Sequence, residues 1–167
     1  MTDATLRSAL QGSHDRLFAQ IRGLSEEQFR HVPAGESWSI AAHLAHLLRT
    51  ERVFTERAQR ALAEDNPTIP STRVDNHDDP GLAQRLAIPQ IIHGMQAVRR
   101  DLDTLLAGCD EADLERGMEH ERLGHMTVRD LGVKMTTHED EHAAAAARLV
   151  RQAPSSGRVI IPLSRRS

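Results

Sequence analysis

A single cysteine in 167 residues leaves nothing to cross-link within the chain. Cys109 alone excludes an intramolecular disulfide framework and fits a reducing compartment. Aromatic residues make up only 2% (Phe18, Phe29, Phe54 and Trp38, with no tyrosine), which excludes a stacking platform for single-stranded nucleic acid. Neither sign of charge dominates. Lys+Arg of 21 against Asp+Glu of 24 gives a net charge of -3, too even for a nucleic-acid binder or a polybasic membrane surface. No apolar run approaches the ~20 residues of a membrane-spanning helix. The Met1–Ala4 segment carries an acid early and lacks an apolar signal region, so the expected location is the cytoplasm. Lys134 is the only lysine, a bias towards arginine that reads as genome composition rather than function.

What the chain has in excess is histidine, with 10 copies, and helical periodicity. Leu6, Leu10, Leu17, Ile21 and Leu24 share one face, and Ser25 with Gln28 forms a capping box that opens a short helical turn near Phe29. A second long pattern runs from about Ser39 to Glu64. Residues 65–79 are polar and proline-broken and read as a crossover loop. Asp79-Pro80 is placed to start a third helix that runs to about Leu106, with Pro89 kinking it or dividing it from a preceding turn. Gly108 to Met126 is a second connection with one helical turn near Asp110. Thr127 to Asp130 then caps a fourth helix that runs to about Gln152. The expected architecture is an all-α four-helix bundle with a long crossover connection over residues 1–152, followed by a tail, 153–167, that is strand-like at Val159–Ile161 or without fixed structure.

Histidines stand at both ends of His138-Glu139-Asp140-Glu141-His142, four apart and so on one helix face. They share the arc of Leu131, Met135 and Leu149, and imidazoles in a core are costly unless hydrogen-bonded or bound to a metal. With ten histidines a chance pair of this spacing is commonplace. Read literally, the segment is the H-E-x-x-H of zinc proteases with Glu139 as general base. That reading fails, because no His, Asp or Glu follows His142 to act as third ligand. Another helix must supply it. Trp38 to Leu47 offers His43 and His46, both on or near the buried side of the second helix; an ideal wheel puts His43 nearer the apolar centre.

The W-S-x-x-x-H-L-x-H-L run from Trp38 to Leu47, followed by Glu51, resembles the second-helix signature of the DinB/YfiT-like metalloprotein family. The stretch from Thr127-Val128 to His142 resembles its last long helix. The likeness spans helix one to about Arg151. It implies a four-helix bundle holding a divalent metal, zinc or nickel foremost, through three histidines: His46, His138 and His142, with His43 as the reserve ligand. Many relatives carry glutamine three residues after the final histidine, where this chain has Ala145, so a hydrogen bond that would orient a ligand is in doubt.

Characterised members of the wider group use low-molecular-weight thiols of the bacillithiol or mycothiol type. The resemblance therefore implies a thiol-dependent S-transferase or isomerase in which a metal-bound thiolate attacks a small-molecule substrate. A metal-dependent hydrolase and a non-catalytic, stress-linked metal-binding bundle are the alternatives, and a homodimer is expected because relatives often dimerise. Other residues carry plainer expectations. Glu51, a lone carboxylate on a buried face, pairs with an arginine or bonds a ligand histidine. Trp38 anchors the start of its helix or lines the site. His14 is structural, His93 is exposed, and His77, His120 and His125 sit exposed in loops. Cys109 lacks a basic cluster nearby and is a poor nucleophile. Asp75, Asp78 and Asp79 lack EF-hand spacing and form a solvated acidic loop.

Overall fold

The computed structural model describes residues 3–72 and 81–154. The Asp79-Pro80 start, His77, the acidic loop and the tail segment Val159–Ile161 lie outside the described residues.

Four long helices carry the fold: α1 (Asp3–Ile21), α3 (Ile40–Ala63), α5 (Ile88–Ala107) and α7 (Val128–Gln152). Three short ones join them: α2 (Glu26–Arg30), α4 (Leu82–Arg85) and α6 (Glu111–Leu114). Two helix starts, those of α2 and α7, follow the caps read from the sequence, and Ser39 caps α3 where the second pattern begins. Ser25 accepts from the Gln28 amide in a capping box, Ser39 accepts from the Ala42 amide, and Thr127 forms a capping box with Asp130. Pro89 does not kink a continuous helix. It lies in the first turn of α5, where its missing N–H costs no intrahelical bond, so α4 is a separate turn.

The bundle packs α1 against α7, and α3 against both α5 and α7. At Gly132 of α7 a Cβ would stand 2.8 Å from a methyl of Leu6, so the missing side chain lets α1 approach closely. The core falls into two apolar clusters. One includes Leu17, Phe29, Leu44, Leu47, Met95 and Leu149; the other Leu6, Leu10, Phe54, Leu102, Leu131 and Met135. Between them the buried positions turn polar. Ser13 and His14 come from α1, Glu51 from α3, Arg99 from α5 and Glu139 from α7, all at most 7% exposed.

The connections are more ordered than their composition suggests. The crossover contains β1 (Thr68–Ile69), and the stretch before α7 contains β2 (Gly117–His120) and β3 (Gly124–Thr127). β1 pairs parallel to β2 and β2 antiparallel to β3, with His120 opposite Ile69 on one side and Gly124 on the other. This small sheet corrects the reading of both segments as plain loops. It also moves His120, expected at the surface, into a buried position, 3% exposed.

Candidate metal centre

The seam between α3 and α7 carries the histidines. The Ser39 cap fixes the first turn of α3, which sets His43 and His46 one turn apart on the side facing α7. Opposite them, the four-residue spacing of His138 and His142 presents both rings to the same seam. His46 Nε2 lies 3.0 Å from His138 Nε2, and His138 Nε2 lies 3.1 Å from His142 Nε2. One nitrogen from each of these three rings falls within 4.8 Å of the others. Nitrogens so spaced are all within reach of one cation at bonds of about 2.0–2.1 Å, and three imidazoles are a donor set that zinc, nickel, iron and copper accept.

His43 is not one of the converging three. Its Nδ1 lies 2.7 Å from Nδ1 of His142, on the far side of that ring from His138. Such a contact needs one proton between the two atoms. With the proton on His142 Nδ1, that ring donates to His43 and keeps an Nε2 lone pair for the shared centre, the tautomer that a metal-ligating histidine requires. His43 thus gives the Nδ1 side of the His142 ring a hydrogen-bond partner. His43 and His46 meet different rings, His46 facing Nε2 of His138 and His43 facing Nδ1 of His142.

Burial first, and then His46 and Lys134, press the His138 pKa down to about 4. His142 is driven to about 2 by burial and by His138, His43 and His46. Both rings are therefore neutral at physiological pH, the form that offers a lone pair. Trp38 closes one side of the cluster. Its ring centroid is 4.9 Å from that of His43 and 5.3 Å from that of His46, and it stacks over His142 at 6.0 Å with an interplanar angle of 25°. The site-lining role of Trp38 is thus the one the fold adopts.

Residues 9–146 match the family model of the DinB superfamily. The chain belongs to the DinB superfamily. Among its relatives is the uncharacterized protein YuaE of Bacillus subtilis (strain 168), 25% identical over 135 residues that span 74% of this chain and 83% of YuaE. The fold is similar to that of YfiT from Bacillus subtilis, with a TM-score of 0.74 and 15% identity over 90% of this chain and 89% of YfiT. YfiT is described as a probable metal-dependent hydrolase with an unusual four-helix bundle topology.

In this DinB-superfamily chain the carboxylate between the two α7 histidines turns away from them. Glu139 is 1% exposed and sits in the polar layer. It accepts from Nη2 of Arg99 at 2.7 Å, from the Ser13 hydroxyl, and from Nδ1 of His14 at 3.0 Å. Burial opposes its charge, but the His14 hydrogen bond, the Arg99 guanidinium and the Ser13 hydroxyl outweigh that and hold its pKa below the usual carboxylate value. Glu139 therefore serves the core and is not placed as a general base. The same Arg99 nitrogen donates to Glu51 Oε1 at 2.8 Å, so Glu51 has found the arginine expected for it. Burial pushes the Glu51 pKa up to about 7 against the pull of Arg99, and the charge on Glu139 adds to the rise. His14, Glu51 and Glu139 are close enough to suggest a second cation site, but the Arg99 guanidinium already supplies the positive charge there.

A cavity of about 370 Å³ opens beside the histidines. His46 and His138 form part of its wall, with Thr50 and Phe54 from α3, Lys134 and Glu141 from α7, and His120, Arg122 and Leu123 from the β2–β3 hairpin. His120 Nδ1 accepts from the backbone amides of Arg122 and Leu123 at 3.1 and 3.3 Å, which places the ring proton on Nε2. His93 is exposed as expected. His125 is exposed too, with Nδ1 2.8 Å from Glu119, while Cys109 donates its thiol to the Leu105 carbonyl.

The depressed histidines make metal-free protein acid-labile. A group whose folded pKa lies below its unfolded value contributes stability that is complete above the unfolded pKa, near 6.5, and lost as the pH falls. Glu51 acts in the opposite sense, favouring the folded state below about 4.5 and losing that contribution as the pH rises towards 7. Two histidines against one carboxyl leave a net loss between pH 6.5 and 4.5, at most about 1.4 kcal/mol per pH unit. Urea unfolding of the metal-free chain across that range measures it, and a flat profile would contradict a buried neutral pair.

Proposed function

We propose that this chain is a divalent-metal-dependent enzyme of the thiol-dependent S-transferase class, acting on a small-molecule substrate, with His46, His138 and His142 as the metal ligands. The observation that carries this reading is the convergence of three neutral imidazole nitrogens, 3.0 and 3.1 Å apart, at the wall of a cavity large enough for a small molecule. A structural metal site is closed by its fourth ligand, whereas three protein ligands beside a cavity leave positions for an exchangeable one. When bound there, a divalent cation supplies Lewis acidity that lowers the pKa of a thiol, so that a nucleophile exists at neutral pH.

The chain's own residues do the rest. His43 holds the His142 ring in its ligating tautomer, and Trp38 covers the outer side of the cluster. A thiol suits this pocket better than water does. Water attacking an ester or amide has a second proton to lose, and the carboxylate of the H-E-x-x-H segment is held in the core by Arg99, Ser13 and His14. The hydrolase reading draws on Glu141, an exposed carboxylate on the cavity wall, and on the similarity to YfiT.

The two readings separate in one assay series. The zinc- or nickel-loaded chain is given 1-chloro-2,4-dinitrobenzene with and without bacillithiol, and 4-nitrophenyl acetate without thiol. Consumption of the chloroarene that needs both metal and thiol is the expected result. Metal-dependent ester cleavage without thiol would replace the transferase with the hydrolase, and inertness towards both would leave a metal-binding bundle.

A further inference from the structure

One side of α3 reaches the cavity turn after turn. His46, Thr50 and Phe54 stand at successive turns of the helix, and all three line the wall. Thr50 is 5% exposed, and its hydroxyl sits between two acceptors. It donates to the His46 carbonyl at 2.9 Å, and its oxygen lies 3.4 Å from His46 Nε2, the nitrogen that faces His138. Among the described residues the other hydroxyl on this wall is that of Thr137, which is exposed and donates to the Val133 carbonyl. The bond from Thr50 to the His46 carbonyl is one the protein can give up. That carbonyl keeps the Thr50 amide, its partner in the helix, when the hydroxyl turns away. His46 Nε2, as a metal ligand, has no lone pair left for the hydroxyl. The hydroxyl proton can then turn to the occupant of the exchangeable position, and an anion there gains a charge-assisted hydrogen bond. Beyond Thr50 the wall becomes apolar at Phe54, 4% exposed, with Leu123 of the hairpin lining the same cavity.

We propose that Thr50 is the thiol-binding residue of this site: its hydroxyl donates to the thiolate sulfur at the exchangeable position, and the hydrocarbon substituent of that sulfur runs along α3 towards Phe54. The proposal deepens the S-transferase reading and rests on it. The order of groups along α3, ligand then hydroxyl then apolar ring, matches an anionic atom that carries a hydrocarbon chain. A hydrogen bond to the charged form favours that form, so the hydroxyl holds the thiolate in preference to the neutral thiol. With the thiol on the α3 side, the α7 side and the β2–β3 hairpin are left to receive the electrophile.

The test titrates the cobalt(II)-loaded full chain with 2-phenylethanethiol and follows the sulfur-to-cobalt charge-transfer band, with imidazole as a neutral occupant of the same position. Thr50→Val keeps the shape of the side chain and removes the hydroxyl. It should weaken thiol binding about tenfold, the scale of one hydrogen bond to a charged group, and leave cobalt content and imidazole affinity unchanged. Thr50→Ser restores the hydroxyl and should recover most of the thiol affinity. Phe54→Leu should narrow the gap in affinity between 2-phenylethanethiol and ethanethiol, and a gap left as wide overturns the placement along α3. Equal thiol affinity in Thr50→Val and the parent overturns the proposal. So does tighter binding by Thr50→Val, since the hydroxyl would then present a lone pair to the sulfur. An equal loss of imidazole affinity overturns it too, because the substitution would have disturbed the whole centre. A cobalt-loaded parent that binds no thiol overturns the S-transferase reading as well, whereas thiol binding indifferent to the hydroxyl overturns this inference alone.

Discussion

Arg99→Met is expected to destabilise the protein by about 3–5 kcal/mol, the usual cost of removing one partner from a buried ionic network. Arg99 is 5% exposed, and its Nη2 donates to Glu51 and Glu139 at 2.8 and 2.7 Å while Nη1 donates to the Leu10 carbonyl at 3.2 Å. Methionine fills much of the same volume, so the loss reads out charge rather than a cavity. Without the guanidinium two carboxyl groups, 3% and 1% exposed, lose the cation they share, and Glu139 is left with only the Ser13 hydroxyl and the His14 ring as partners among the described residues. Glu51→Gln should cost far less, because burial already raises the Glu51 pKa to about 7 and a neutral side chain there changes little. That ordering is the decisive measurement, taken from urea midpoints at pH 7.5. Equal effects of Arg99→Met and Glu51→Gln would mean that the layer is held by shape, not by charge. Arg99→Met should also weaken metal uptake. Glu139, adjacent to His138, is tied through Arg99 and Ser13 to α5 and α1, and those ties fix the rotation of α7 that turns its histidines towards α3.

The long helices, and the starts of all but α5, were legible because both rest on local chemistry; α5 begins at Ile88 without a side-chain cap, later than the Asp79-Pro80 signal. Apolar residues every three to four positions mark the stripe from Leu6 to Leu24, and Ser25, Ser39 and Thr127 cap within three residues of themselves. The sheet was not legible, since its order comes from distant pairing. Thr68 meets Glu119 across the intervening α4, α5 and α6, and Gly117–His120 offers only Met118 and His120 as an alternating buried pair, too short to stand out from a loop. His120 and the cavity wall it belongs to were hidden for the same reason. Arg99 was missed on different grounds. An arginine on an apolar stripe reads as an edge residue until two carboxylates from other helices are placed against it. The histidine cluster was half legible. Spacing put His138 and His142 on one face and brought His43 and His46 near the seam, but only the geometry shows that His43 meets Nδ1 of His142 while His46 meets Nε2 of His138.

His142→Ala is expected to reduce bound divalent metal from about one per chain to a trace, and to abolish any metal-dependent turnover with it. A two-histidine remnant gives up one of three ligands and the ring that His138 and His43 both contact. His46→Ala should do the same from the α3 side. His43→Ala is the informative contrast. It removes an acceptor rather than a ligand, so metal should stay bound with an affinity lowered about 10–100-fold, the common effect of deleting a group that orients a metal ligand. His43→Asn keeps a carbonyl oxygen able to accept from His142 Nδ1, and should recover part of that loss. Metal analysis with competition by a chelator of known affinity measures all four variants. Metal loss in His43→Ala as complete as in His142→Ala would make His43 a ligand in its own right. Full retention in His46→Ala would then hand it the α3 position, and the two histidines of the second helix would exchange roles.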